Sequence, residues 1–122
     1  MKIAITSKGT TLDAEVDPRF RKAAYILIVD TTNLSVEALD NSQNNALKGK
    51  GIQTAAMVND IGATILLTGF CGPNAFKTLK VSGIKVANVS GTVREAVNKF
   101  NEGALSYADE YTMAPPRMKG KI

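Results

Sequence analysis

The spacing of hydrophobic and polar positions changes along the chain, with short strand-like runs first and helical spacing later. Three early segments, "KIAITS" (2–7), "AAYILIVD" (23–30) and "SVEALDN" (35–41), are alternating or rich in β-branched residues and predict strands. Only "TTN" (31–33) and its immediate neighbours separate the last two, so we expect these strands to form a hairpin.

The second half of the chain alternates helical and strand patterns. "GIQTAAMVNDIG" (51–62) predicts a helix buried over a wide stripe and ended by Gly62. "ATILLTG" (63–69) is a continuous apolar run, which is typical of a strand covered on both faces of a sheet.

Two further helices flank a last predicted strand over 84–89. Pro73 suits the first helical position of one helix. Thr92 and Glu95 have the spacing of a capping box at the start of the other, and Gly103 is its natural end. The expected core contacts are Ala75, Phe76 and Leu79 in the first helix and Val93, Ala96, Val97 and Phe100 in the second. Strands alternating with helices predict an α/β sheet with helices on its faces.

The composition favours one ordinary globular core. The 122 residues carry a formal net charge of +4, which is compatible with an anionic ligand and does not require a nucleic acid. We expect a single domain over 1–108 and a mobile basic tail over 109–122. No apolar run is long enough to span a bilayer, and the N-terminus lacks the apolar region of a secretory signal, so a cytoplasmic location is expected.

The single cysteine, Cys71, has three possible roles. With no histidine in the chain, the usual zinc and haem sites are excluded. A helix beginning just after Cys71 would lower its thiol pKa and promote metal binding. Free cysteine is also among the most buried residue types, so Cys71 is equally interpreted as a small core residue. A catalytic nucleophile is the weakest alternative, because no histidine is present to activate the thiol.

Five motifs together resemble the dinitrogenase iron-molybdenum cofactor-binding family. In order they are "VDPRF" (16–20), "GKGIQTA" (49–55), "TGFCGPNAF" (68–76), "SGIKV" (82–86) and "GTVREAVNKFNEG" (91–103). The family comprises small proteins related to nitrogenase cofactor carriers and molybdenum-copper sulfide binding proteins. The resemblance implies a three-layer α/β/α, ribonuclease H-like fold, with a mixed five-stranded sheet ordered 3-2-1-4-5 and strand 2 antiparallel.

The chain departs from the family pattern at three positions. Arg21 and Lys22 stand where the family commonly has glycine and then arginine, and Lys50 replaces a small residue between two glycines. Some cofactor carriers are thought to use a histidine ligand, which this chain lacks.

The implied strand order places a candidate site between strand 1 and the strand ending at Thr68. Ligands favour the point where the strand order reverses, and the loops 6–9 and 69–72 meet there. Their glycines allow close backbone approach, and the second loop leads into a helix N-terminus that favours anions. The predicted cofactor-binding residues are Ser7, Gly9, Arg19, Arg21, Lys50, Gly51, Gly69, Cys71, Gly72 and Asn74, with Cys71 as the candidate metal ligand. Ordinary helix-boundary chemistry is the alternative explanation of these glycine patterns.

The resulting hypothesis is a non-enzymatic carrier or storage protein for an anionic metal-sulfide cluster of iron-molybdenum, iron-sulfur or molybdenum-copper type. The expected partner is a recipient metalloprotein, with no nucleic acid or membrane, and the expected state is a monomer or weak homodimer. A ligand-free adaptor of the same fold is one alternative, and a ribonuclease H-like nuclease is a weaker one. The first strand has no carboxylate, and the other acids are interpreted as solvated surface: Asp13, Glu15, Asp17, Asp30, Glu37, Asp40 and Asp60.

Overall fold

The computed structural model of the chain describes residues 1–41 and 50–108, with side chains in the second range from Thr54 onward. In chain order the elements are β1 (Lys2–Ser7), β2 (Tyr25–Asp30), β3 (Val36–Asp40), α1 (Lys50–Ile61), β4 (Ile65–Thr68), α2 (Pro73–Val81), β5 (Lys85–Asn88) and α3 (Val93–Asn101). Every predicted strand and helix is therefore present, with ends that differ by one or two residues. In these ranges no helix combines the length and apolar character needed to cross a membrane.

The strands form one sheet in the order β3-β2-β1-β4-β5. β2 is antiparallel to both of its neighbours, whereas β1, β4 and β5 run parallel. The hairpin of β2 and β3 and the order implied by the family resemblance are both confirmed. Because the chain order reverses between β1 and β4, their carboxyl ends mark the switch point of the sheet.

Alternate residues of the central strands enter two separate cores, one on each face of the sheet. Ala4 and Leu66 face one core, whereas Ile5 and Leu67 face the other. The first core also contains residues from α1 and α2: Ala55, Val58, Ala75, Phe76 and Leu79. The second contains residues from α3: Val93, Ala96 and Val97. The two-residue period of a strand thus produces three layers, with the sheet between α1 and α2 on one side and α3 on the other.

The helix boundaries confirm the local signals in the sequence. The Thr92 side chain accepts a hydrogen bond from the Glu95 N–H, and the Glu95 side chain accepts one from the Thr92 N–H. Pro73 is the first residue of α2. Gly62 and Gly103 follow α1 and α3 with φ of 85° and 69°, a conformation that favours glycine.

The prediction that α1 is buried over a wide stripe is wrong. Ala55 and Val58 are buried, but Ala56 and Asn59 are exposed. A helix that packs on only one face of a sheet needs a narrower apolar stripe, because its outer side faces solvent.

A short return of the chain after α3, over 104–108, was not predicted. Tyr107 forms an antiparallel bridge with Ala87, and the Ala108 N–H donates to the Val86 carbonyl at 2.6 Å. A groove of about 400 Å³ is lined by Asn88, Lys99 and residues 104–108, and we call it the β5 groove. The predicted tail, 109–122, lies outside the described residues, so the domain boundary at 108 stays a prediction.

Candidate functional site

The carboxyl ends of β1 and β4 are joined by two buried hydroxyl groups. Thr6 Oγ1 lies 2.7 Å from the Asp17 carbonyl oxygen and 2.8 Å from Thr68 Oγ1. A hydroxyl has one hydrogen and a carbonyl oxygen only accepts, so Thr6 donates to Asp17 and Thr68 donates to Thr6. Both threonines are fully buried. They close the floor of the predicted switch-point site.

Residues 16–20 of the chain itself lie across this floor. Val16 bridges Ser7, and the Asp17 N–H donates to the Thr6 carbonyl at 3.0 Å. On the β4 side, the Phe20 N–H donates to the Phe70 carbonyl at 3.0 Å. The opening expected between the loops 6–9 and 69–72 is therefore filled by the "VDPRF" segment, and a ligand has access only to its outer surface.

Gly69 makes this close packing possible. A Cβ atom at Gly69 would lie 2.5 Å from the Pro18 Cα atom, well inside van der Waals contact. Gly69 therefore admits the chain's own Pro18, where the sequence predicted close approach of a ligand. Gly9 is less tightly packed, since its Cβ would lie 3.0 Å from the Ala14 Cβ, and Gly72 has open space around it.

Asp17 is a buried carboxylate, with only 1% of the residue exposed, so its interpretation as solvated surface was wrong. It accepts hydrogen bonds from the Arg19 N–H at 3.1 Å and the Ala24 N–H at 3.3 Å. Burial alone would raise the pKa of Asp17, but the bonds from the Arg19 side chain and from these two N–H groups outweigh it and leave the pKa lowered. Asp17 thus stays ionised and fixes the loop around it.

Arg19 carries the other half of this ion pair to the surface. Its Nε donates to Asp17 Oδ1 at 3.2 Å, and Nη2 lies 3.4 Å from Oδ2. The Arg19 side chain is 60% exposed, whereas that of Asp17 is 1% exposed. A guanidinium has five N–H donors, so three of them remain available on the solvent side. The surface that this pair presents is cationic.

Another buried polar residue, Asn41, anchors the other end of the same loop. Its Nδ2 donates to the Arg21 carbonyl at 3.2 Å and to the Ala23 carbonyl at 2.8 Å. Its Oδ1 accepts from the Thr54 hydroxyl at 3.2 Å. Because Thr54 lies about one turn after Lys50, Asn41 brings the start of α1 close to Arg21.

The N-terminus of α2 has no side-chain cap, and Gly72, Pro73 and Asn74 are at least partly exposed there. Gly72 is the N-cap and provides no side-chain cap, and the first intrahelical bond runs from the Phe76 N–H to the Gly72 carbonyl at 2.9 Å. The N–H groups of Asn74 and Ala75 precede that bond, so they have no partner within the helix and lie at the positive end of its dipole.

Cys71 lies inside this turn and not on its surface. The residue is fully buried in the core between the sheet, α1 and α2. Burial raises the pKa of its thiol to about 12, which is opposite to the effect expected from the helix dipole alone. This environment favours the interpretation of Cys71 as a small core residue.

The remaining predicted site residues occupy different positions. The Ser7 hydroxyl is buried, donating to the Gly9 carbonyl at 2.8 Å and accepting from the Gly9 N–H at 3.2 Å, so it shapes the loop. Asn74 is exposed at the start of α2. Lys50 is the first residue of α1 and Gly51 follows it, and the Lys50 side chain lies outside the described set.

The donor set fits an anion held by hydrogen bonds and charge better than a metal ion held by side chains. Among residues 1–41 and 50–108, no group of three His, Cys, Asp or Glu side chains converges to hold a metal. Arg21 and Lys22 are exposed and make no ion pair within that part of the chain. Cations and helix N–H groups are the partners that a polyanion prefers.

Sequence reasoning missed Asp17 and Asn41 as organising residues. A signal for Asp17 was available, because Asp-Pro initiates a turn in which the Asp side chain commonly accepts a nearby N–H. No local signal distinguished Asn41 from an ordinary residue after a strand, since its partners are far away in sequence.

The fold and the site define a three-layer α/β protein with a cationic loop and an open helix N-terminus at the switch point of its sheet. The family model for the dinitrogenase iron-molybdenum cofactor matches residues 1–103, and the chain belongs to this family. The resemblance inferred from the motifs is therefore confirmed.

Three relatives show the extent of the similarity. The apo form of the orange protein from Desulfovibrio gigas is 42% identical with a TM-score of 0.84, covering 88% of this chain and 92% of that one. A NifB-like protein from Thermotoga is 37% identical with a TM-score of 0.75, covering 87% and 91%. An uncharacterised protein of Methanocaldococcus jannaschii is 28% identical over 109 residues, covering 86% and 89%.

Replacing Gly69 with alanine tests the close approach of the two loops. We expect Gly69→Ala to lower the free energy of unfolding by about 1–3 kcal/mol, because the new Cβ overlaps the Pro18 backbone. Gly72→Ala is the matched control, with open space for its Cβ and an expected loss below about 1 kcal/mol. Urea unfolding measures both, and equal losses would contradict the packing described.

Lowering the pH tests the ionised state of Asp17. A lowered pKa in the folded state gives stability that is fully present above the unfolded pKa and is lost as the pH falls through the folded value. We expect the free energy of unfolding of the native protein at pH 7 to exceed that of Asp17→Asn by about 1–3 kcal/mol. This difference in stability should shrink as the pH falls below 3.8, the ordinary pKa of an aspartate side chain. A difference that stays constant from pH 7 to pH 2 in urea titrations would show that the carboxylate charge contributes nothing.

Proposed function

We propose that the protein binds an anionic metal-sulfide cluster as cargo and carries or stores it, without catalysing a reaction. The observation that carries the proposal is that the backbone of Arg19, whose exposed guanidinium is held by Asp17, forms a bridge with Phe70, two residues before the Gly72 N-cap of α2. Both lie on elements that follow the carboxyl ends of β1 and β4, where ligands of such sheets bind.

The charges of the described loops support a polyanion as the ligand. Arg19, Arg21 and Lys22 follow one another within four residues, and the last two make no ion pair in the described ranges. The bond from Phe20 to Phe70 holds this cationic run against the loop that leads into α2. A cluster with several negative charges and sulfur acceptors would gain from both features at once.

The family membership supports a metal-containing ligand over a simple phosphate or carboxylate. The matching family is named for the iron-molybdenum cofactor of dinitrogenase, and the relative that is 42% identical is described in an apo form. Clusters of iron-molybdenum, iron-sulfur or molybdenum-copper type remain candidates for this chain, with a recipient metalloprotein as the proposed partner.

We further propose that the cluster is held without the Cys71 thiol. A thiolate is the form that ligates metals, and the pKa of about 12 keeps Cys71 protonated near neutral pH. Side-chain ligation would also require the residue to leave the apolar core in which it is fully buried.

The adaptor and nuclease alternatives account for less of the geometry. A ligand-free adaptor gives no reason for a helix N-terminus without a side-chain cap next to a loop whose Arg21 and Lys22 make no ion pair in the described ranges. A nuclease needs carboxylates that converge on two metal ions. β1 has none, and Asp17 is fully engaged with its own loop.

Reconstitution without oxygen tests the carrier function and the role of Cys71 together. Purified protein is incubated with tetrathiomolybdate, with tetrathiomolybdate and copper(I), or with iron and sulfide, and then desalted. We expect at least one combination to leave a coloured protein with stoichiometric metal. Cys71→Ala should retain the same metal content and visible spectrum, with a stability loss of about 1 kcal/mol from the small cavity.

Two results would contradict these proposals separately. A native protein that retains no metal under all three conditions excludes the carrier function. A native protein that binds while Cys71→Ala remains colourless, although folded by circular dichroism, excludes binding without the thiol.

A further inference from the structure

Asp17 forms hydrogen bonds through its side chain and also through its backbone. Its carboxylate accepts from two backbone N–H groups and from two nitrogens of one guanidinium, while its own N–H and carbonyl bond to Thr6. Every one of these partners lies in β1 or in the loop 17–24. The carboxylate therefore determines both the path of this loop and the direction of the Arg19 side chain.

We propose that Asp17 is a positioning residue that aims the Arg19 guanidinium at the anionic ligand of the switch-point site. This inference rests on the proposed cluster-binding function and assigns a role in it to a residue that does not itself touch the ligand. The guanidinium of Arg19 is planar and bonds to Asp17 through Nε and Nη2. Its Nη1 group therefore stays free for the ligand.

The advantage of this arrangement is preorganisation. A free arginine side chain on the surface loses conformational entropy when a ligand immobilises it, and this loss weakens binding. In this protein the Arg19 side chain is already held by Asp17 Oδ1 and Oδ2, so much of its conformational entropy is lost on folding and not on binding. The backbone bond from Arg19 to the same carboxylate further limits the direction in which the side chain leaves the loop.

Simple electrostatics predicts the opposite effect for Asp17. Its negative charge lies next to Arg19 and weakens the attraction of the loop for any anion. If charge alone controlled binding, removing the carboxylate would strengthen it. If positioning controls binding, removing the carboxylate weakens it although the protein becomes more positive by one charge. The sign of the change therefore separates the two explanations.

The experiment is a double-mutant cycle on the full chain, with tetrathiomolybdate and copper(I) as the probe. Asp17→Asn, Arg19→Gln and the double variant are titrated at several salt concentrations. We expect each single variant to bind about tenfold more weakly, as for loss of one charge-assisted contact. The double variant should bind no more weakly than Arg19→Gln, because Asp17 acts only through Arg19.

Arg19→Lys keeps the protein testable if Asp17→Asn does not fold. Lysine retains the charge at an exposed position but lacks the planar fork, so we expect its affinity to fall nearly as far as that of Arg19→Gln. Arg94→Gln is the matched control, since Arg94 makes a similar exposed pair with Asp13 at 3.0 Å and lies in the first turn of α3. It should bind like the native protein.

Several outcomes would overturn the positioning role. These are an Asp17→Asn variant that binds as tightly as the native protein or more tightly, additive losses in the double variant, and an Arg19→Lys variant with native affinity. A native protein that retains no metal with any of the three combinations contradicts the proposed function instead. A native protein that fails with this probe but binds tetrathiomolybdate alone, or iron and sulfide, keeps that function with a different cluster. In that case the same cycle is performed with the cluster that binds.

Discussion

The switch point of this protein depends on one buried carboxylate. Asp17 forms hydrogen bonds with Thr6 near the end of β1, with Ala24 directly before β2 and with Arg19, although only 1% of the residue is exposed to solvent. A buried charge is costly unless hydrogen bonds compensate for it, and here several donors converge on it. The consequence is a rigid loop at the place where related sheets usually have an open crevice.

Close packing of this loop against the next one makes the site a surface and not a cavity. Gly69 has no side chain, so Pro18 approaches its backbone directly. The hydrogen bond from the Phe20 N–H to the Phe70 carbonyl extends this contact between the two loops. What remains for a ligand is the outer face, formed by Arg19 and the first turn of α2. Such a face suits a large, highly charged anion that is to be delivered elsewhere, because an enclosed pocket would slow its release.

The sequence predicted the elements well because their signals are local. The capping box of Thr92 and Glu95 and the proline at the start of α2 each act within one helical turn, and the structure contains both. The family motifs supplied the strand order, which local patterns leave open. The site was predicted less completely, since Arg19 and Gly72 emerged from the motifs but the burial of Asp17 and Cys71 results from tertiary packing. A carboxylate in a loop has no local pattern that distinguishes a solvated residue from one enclosed by partners in other segments.

The central claim is that an anionic cluster binds on the outer face of the "VDPRF" loop and the start of α2. Nuclear magnetic resonance of ¹⁵N-labelled protein titrated with tetrathiomolybdate and copper(I) locates the ligand directly. If the cluster binds on that face, the largest amide shift changes lie at Arg19, at Arg21 and at residues 70–72, 74 and 75. Changes concentrated instead at the β5 groove, around Asn88 and residues 104–108, would contradict it.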